Sequence, residues 1–150
     1  MTGQDRLDRF VSAQDAGGIY DRAVGELARG RKTGHWMWFV FPQIAGLGSS
    51  AMAQRYAITG PDEARAYLAH PVLGPRLRHC VSIVLQVAGA GPAGPSAADI
   101  FGGIDAVKLR SSMTLFAAVD PVEPIFRRVL NRCFGGEEDP VTRQLLGSRR

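Results

Sequence analysis

The residues best suited to chemistry lie together, in residues 30–50. They combine aromatic, cationic and amide side chains: Lys32, His35, Trp36, Trp38 and Gln43. An indole can stack on a planar group while cations and amides bind the polar edge of that group. The segment therefore predicts a binding site for a planar, anionic ligand. The alternative is structural: both tryptophans fill the core, and His35 is a hydrogen-bonded histidine without a chemical role.

A second polar cluster occupies residues 105–116. On a helix, Lys108, Ser111 and Ser112 lie one turn apart on one face, and Asp105 lies one turn before the lysine, where it can pair with it. Such a row could bind a phosphate or a carboxylate, and a lysine beside a serine is also the minimal geometry of a nucleophilic dyad. The alternative is a polar stripe on a solvated face.

The distribution of lysine connects these two clusters. Sixteen of the 18 cationic side chains are arginine, and the two lysines are Lys32 and Lys108. A lysine ammonium is a compact donor whose pKa can fall on burial, unlike that of a guanidinium. Both lysines are therefore candidates for binding the anionic part of a ligand, with chance placement as the alternative.

Residues 63–70 hold further acid–base candidates. Glu63 and Tyr67 are i,i+4 neighbours, and His70 stands at the predicted end of their helix. The candidate catalytic residues are Glu63 and His35, and His70 could also act if this joint faces the aromatic segment. The structural alternative is a capped joint between two helices.

Helical periodicity dominates the rest of the chain. Residues 5–14, 18–29 and 104–119 carry apolar residues at helical spacing, and Pro61 is placed for a first helical turn. The wide apolar stripe of residues 73–88 predicts a central helix.

Residues 31–49 follow neither the helical nor the strand period. The string WMWFVF predicts a short strand or an irregular buried segment that ends at Pro42. We therefore predict an all-α fold of six to eight helices with an irregular aromatic segment at about residues 31–49. A single compact domain over residues 1–150 is expected from the length.

The composition narrows the class of protein. The N-terminal segment carries charges where a signal peptide needs an apolar region, and no apolar run approaches the ~20 residues of a membrane span, so a cytoplasmic, non-membrane protein is expected. Cys80 and Cys133 match no zinc spacing, so we expect reduced thiols, no metal and no cofactor. The net charge of +4 arises from scattered arginines, which argues against a nucleic-acid partner. A monomer is expected.

Four strings in the chain are distinctive. They occupy residues 9–14, 26–48, 63–77 and 105–116: RFVSAQ, ELARGRKTGHWMWFVFPQIAGLG, EARAYLAHPVLGPRL and DAVKLRSSMTLF. Together they resemble the small bacterial domain-of-unknown-function 1810 family, whose members are sometimes mislabelled as calpastatin. The resemblance extends over about residues 5–147. It implies a compact all-helical domain and no established activity, so it assigns no catalytic residue.

The predicted pocket is also similar in character to another group, short helical bacterial domains that process ADP-ribose by cleaving N-glycosidic bonds. The leading hypothesis is therefore a nucleotide or ADP-ribose type of ligand, bound by residues 32–43, 63–70 and 108–112, with N-glycosidic hydrolysis as its enzymatic form. The second hypothesis is a non-catalytic protein-interaction module that uses the aromatic segment. The third is a weak nucleic-acid binder, supported only by net charge.

Overall fold

Helices account for the regular structure of the chain in a computed structural model that describes residues 3–89 and 93–148. In chain order the α-helices are α1 (Gly3–Asp15), α2 (Ile19–Ala28), α3 (Met37–Val40), α4 (Ala51–Arg55), α5 (Pro61–Ala69), α6 (Leu73–Ala88), α7 (Ala97–Phe101), α8 (Gly103–Val119), α9 (Pro124–Phe134) and α10 (Pro140–Ser148). Three of these, α3, α4 and α7, have only four or five residues. The prediction of an all-α fold is confirmed.

Most helix ends coincide with signals in the sequence. Ser50 and Ser96 cap α4 and α7 by accepting hydrogen bonds from backbone N–H groups, and Pro61 begins α5. His70 follows the last residue of α5, and its Nδ1 accepts hydrogen bonds from the N–H groups of Val72 and Leu73 where α6 begins.

The string WMWFVF contains a helical turn, α3, so of the two alternatives for this string the short strand was wrong. Met37, Val40 and Phe41 are buried, and their i, i+3, i+4 spacing places them on one face of the turn. Trp38 is only partly buried. Extended pairing in the described ranges is limited to an isolated bridge between Ile44 and Ile58.

Two long helices form the middle of the hydrophobic core. The predicted central helix, α6, packs against α2, α5 and α9, and α8 packs against α5, α7, α9 and α10. Because α8 is enclosed on several sides, Ser111, Ser112 and Thr114 are buried. The alternative of a solvated polar stripe is therefore wrong for both serines. In residues 3–89 and 93–148, none of the helices has the length and hydropathy to cross a bilayer.

Candidate ligand-binding groove

One buried carboxylate, that of Glu26 on α2, holds the turn that precedes α3. Its Oε1 accepts hydrogen bonds from the N–H groups of Thr33 and Gly34 at 2.7 and 2.8 Å, and from Nε1 of Trp36 at 3.0 Å. Burial alone would raise the pKa of Glu26, but these hydrogen bonds outweigh it and lower the pKa below its ordinary value. An ionised Glu26 therefore fixes the backbone that carries Lys32. Glu26 was not among the site residues predicted from the sequence.

Lys32 joins that turn to the junction of α7 and α8. Its backbone N–H donates to the carbonyl of Ile100 at 2.7 Å, and its Nζ lies 2.7 Å from Oδ2 of Asp105. The same ammonium donates to the Gly34 carbonyl and lies 4.8 Å from the centroid of the Trp36 ring. The side chain is only 5% exposed. An almost buried cation is thus held in place by three kinds of contact.

The second lysine, Lys108 on α8, meets the same carboxylate. Its Nζ lies 3.3 Å from Oδ1 of Asp105 and 4.6 Å from the centroid of the Trp38 ring. The predicted pairing of Asp105 with Lys108 is therefore present, and Lys32 joins it from a distant part of the chain. The carboxylate of Asp105 bridges the two lysines of the sequence.

An open cleft of about 380 Å³, the lysine cleft, lies over these groups. Its lining residues come from the aromatic segment and from the α7–α8 junction: Lys32, His35, Met37, Trp38, Phe101, Gly102, Gly103, Ile104, Asp105 and Lys108. His35 is exposed, and no side chain caps the N-terminus of α8. The cleft therefore offers two ammonium groups, an imidazole and an indole to a bound molecule.

A larger cleft of about 600 Å³, the valine cleft, shares Trp38, Ile104 and Lys108 with the lysine cleft. Its other lining residues come from the loop around α4, from α8 and from the start of α10: Gln43, Leu47, Gly48, Ser49, Ser50, Ala53, Val107, Ser111, Asp139 and Val141. We call the two clefts together the groove.

Exposed apolar side chains distinguish the valine cleft. Ile104, Val107 and Val141 are 79%, 64% and 46% exposed, and of the large hydrophobic residues in the described part of the chain only Val122 joins them as exposed. None of these three residues was among the site residues predicted from the sequence. A signal was present, since Ile104 and Val107 are one helical turn apart, away from the buried Leu109.

Asp139 in the lining of the valine cleft accepts hydrogen bonds from two hydroxyl groups. Oδ2 of Asp139 lies 2.9 Å from Oγ of Ser111 and 2.5 Å from Oγ1 of Thr142, and both hydroxyls donate to it. Burial would raise the pKa of Asp139, but the hydrogen bonds from Thr142 and Ser111 lower it. The Ser111 hydroxyl is thus committed to an ionised carboxylate at the start of α10, a geometry that does not favour a Ser–Lys dyad.

The remaining predicted site residues lie outside the groove. Glu63 accepts hydrogen bonds from the Thr59 N–H at 3.1 Å and from Nη2 of Arg9 at 3.2 Å, and it lines neither cleft. Trp36 is 2% exposed and lies behind Lys32. Ser112 is fully buried, and its Oγ has no hydrogen-bond partner in the described part of the chain.

The structure therefore groups six of the nine predicted site residues: Lys32, His35, Trp38, Gln43, Lys108 and Ser111. Among the residues that the structure describes, no group of three His, Cys, Asp or Glu side chains is arranged so that it could hold a metal ion.

The protein is a helical domain with an open, lysine-lined cleft between α3, α7 and α8. The chain belongs to the family described as "Protein of unknown function (DUF1810)", which matches residues 4–146. It is similar to the conserved hypothetical protein Rv1873 from Mycobacterium tuberculosis, a crystal structure with 49% sequence identity and a TM-score of 0.86 that covers 94% of this chain and 96% of that one. No curated protein matches the chain. The resemblance carried by the four strings is thus confirmed.

Proposed function

We propose that the groove binds a planar, anionic small molecule of the nucleotide or ADP-ribose type. One observation supports this above others: the two lysines of the chain converge on Asp105 beside the partly buried Trp38, at the wall of an open cleft. Convergence of polar groups next to an aromatic ring in a concave surface is the usual arrangement of a small-molecule site.

The two clefts suit different parts of such a ligand. The anionic part would bind at the lysine cleft, where Lys108 retains solvent access and Lys32 adds positive charge from behind. The planar part would stack on Trp38, which lines both clefts, and Gln43 in the valine cleft could bind its polar edge. The volumes of 380 and 600 Å³ lie within the range of ligand sites.

The proposal is one of binding, with hydrolysis as a secondary form. Glu63 lies outside the groove, and the carboxylates within it, Asp105 and Asp139, are engaged by lysines and by hydroxyls. Of the two predicted catalytic residues, His35 alone lines the groove. N-glycosidic hydrolysis would therefore use His35 for proton transfer, and His35→Ala would abolish release of the free base.

Isothermal titration calorimetry with AMP, ADP, ADP-ribose and NAD tests the proposal. Trp38→Ala should weaken binding by about 5-fold to 150-fold, because stacking on an aromatic ring contributes about 1–3 kcal/mol. Tyr20→Ala is the matched control, since Tyr20 is also a partly buried aromatic residue with a cation, Arg76, 4.7 Å from its ring, and it lies outside the groove. Silence across the panel, or an equal loss in both variants, would overturn the proposal.

A protein-interaction module is the second candidate, and the exposed side chains of the valine cleft favour it. Ile104, Val107 and Val141 form an apolar edge next to Trp38. Binding of a hydrophobic dye should then fall in Ile104→Asp and persist in Val122→Asp, which places the same charge on an exposed apolar site outside the groove. Equal dye binding by the two variants would contradict this candidate.

A further inference from the structure

We propose that Asp105 is an internal competitor for the anionic group of the ligand and thereby sets the charge that the lysine cleft accepts. This inference rests on the proposed function of the groove and assigns a specificity-determining residue to it. The carboxylate of Asp105 lies 2.7 Å from Nζ of Lys32 and 3.3 Å from Nζ of Lys108. It therefore occupies the position between two ammonium groups that a bound anion would favour.

The two lysines are not equally available to an incoming anion. Lys32 is 5% exposed and already donates to Asp105 and to the Gly34 carbonyl. Lys108 is 23% exposed and has Asp105 as its ion-pair partner. Because a lysine ammonium has three donors, Lys108 can bind an anion while it still contacts Asp105. A ligand thus meets Lys108 first and shares it with Asp105.

Because Asp105 pairs with both lysines, its carboxylate lowers the net positive charge of the lysine cleft. Two ammonium groups and one carboxylate together contribute a net charge of about +1 at the cleft. Asp105 also repels the ligand's anion directly, and that repulsion increases with the ligand's charge. Unit charges about 5 Å apart in a water-like dielectric repel enough to weaken binding about fourfold for each unit of ligand charge. The native cleft is therefore tuned toward singly charged groups, such as carboxylates and phosphodiesters.

Base-free anions of increasing charge test this inference without requiring nucleotide binding. Acetate, inorganic phosphate and pyrophosphate would be titrated into the native protein and Asp105→Asn, with the amide chemical shifts of Gly102 and Gly103 in the lysine cleft as the readout. The gain in affinity on Asp105→Asn should rise along the series, from about fourfold for acetate to more than tenfold for pyrophosphate. Asp105→Ser serves the same purpose if the asparagine variant does not fold.

Asp21→Asn is the matched control. Asp21 is also a first-turn carboxylate, on α2, and it lines neither cleft, so its removal should leave all three affinities unchanged. A gain equal for all three anions, no gain, or a loss would overturn the inference, since a loss would mean that Asp105 positions the lysines for the ligand. If no nucleotide binds, but the gain in affinity on Asp105→Asn still rises from acetate to pyrophosphate, the proposed function alone would be overturned. Nucleotide binding without that rising gain would overturn this inference alone.

Discussion

Two lysine–tryptophan pairs in this molecule have nearly the same geometry and very different surroundings. Nζ of Lys32 lies 4.8 Å from the ring of Trp36, and Nζ of Lys108 lies 4.6 Å from the ring of Trp38. In the first pair Trp36 is buried outside both clefts and Lys32 is only 5% exposed at the wall of the lysine cleft, whereas both members of the second pair line both clefts. A cation over an indole is therefore not sufficient to indicate a binding site, and solvent access separates the structural pair from the candidate binding pair.

The different burial of the two tryptophans arises within residues 36–38. Trp36 stands at the start of α3, where its Nε1 donates to Glu26, and Met37 continues into the core. The next residue, Trp38, is only partly buried, although Phe39 after it is buried again. The same short segment thus supplies one aromatic residue to the core and one to the groove.

The largest expected effect separates the two tryptophans. Trp36→Ala should lower the free energy of unfolding by about 3–5 kcal/mol, because it empties a buried site and removes a donor to Glu26. Trp38→Ala should cost less than half of that, because part of its surface is already in water. Urea denaturation of both variants measures the difference. Equal losses would mean that the two pairs have the same structural role and that the comparison fails.

Replacing Glu26 tests whether its ionised carboxylate holds the turn before α3, because the stability that this carboxylate contributes depends on pH. Glu26→Gln should lower the free energy of unfolding by about 1–3 kcal/mol near neutral pH, because three donors lose an ionised acceptor. The pKa of Glu26 is lowered on folding, so its stabilisation is present above its ordinary pKa of 4.5 and is lost as pH falls through the folded value. The difference between native protein and variant should therefore shrink below pH 4.5.

Urea denaturation from neutral pH into the acid range checks this prediction. Other carboxylates with lowered pKa values, such as Glu138 with a pKa of about 2, titrate in both proteins and cancel in the difference. A difference that stays constant down to pH 2 would show that the charge of Glu26 does not hold the turn.

The smallest expected effect concerns the two lysines. Lys32→Met should cost about 1–2 kcal/mol, because its nearly buried ammonium is lost while Asp105 keeps Lys108 as a partner. Lys108→Met should change the free energy of unfolding by no more than about 0.5 kcal/mol, as is usual for a partly exposed ion pair. Thermal denaturation of the two variants compares them, and a larger loss for Lys108→Met would reverse the assignment of the two pairs.

Most of the helices could be predicted from the sequence because the patterns that indicate them are local. Apolar residues at helical spacing located α1, α2, α6 and α8, and Pro61 marked the start of α5. Residues 37–40 were not recognised as helical because one turn is too short to show a period, and its stability comes from the core that it packs against.

Only part of the candidate site could be predicted from the sequence. Aromatic and cationic composition identified Lys32, Trp38 and Lys108, but no local signal says which tryptophan is sealed. Glu26 was missed because its partners are 7–10 residues further along the chain, across a turn whose shape the sequence does not specify. Glu63 was placed in the site because of its chemistry, whereas its ion pair with Arg9 depends on how α1 packs against α5.

The open space over Gly103 makes the rim of the lysine cleft addressable by chemical labelling. A Cβ added to this first residue of α8 would meet no atom within 4 Å, so Gly103→Cys should be accommodated. Burial raises the pKa of both native thiols, that of Cys80 to about 12, and so makes them slow toward alkylating reagents. A maleimide fluorophore attached at position 103 would then report occupancy of the cleft by a change in its own emission.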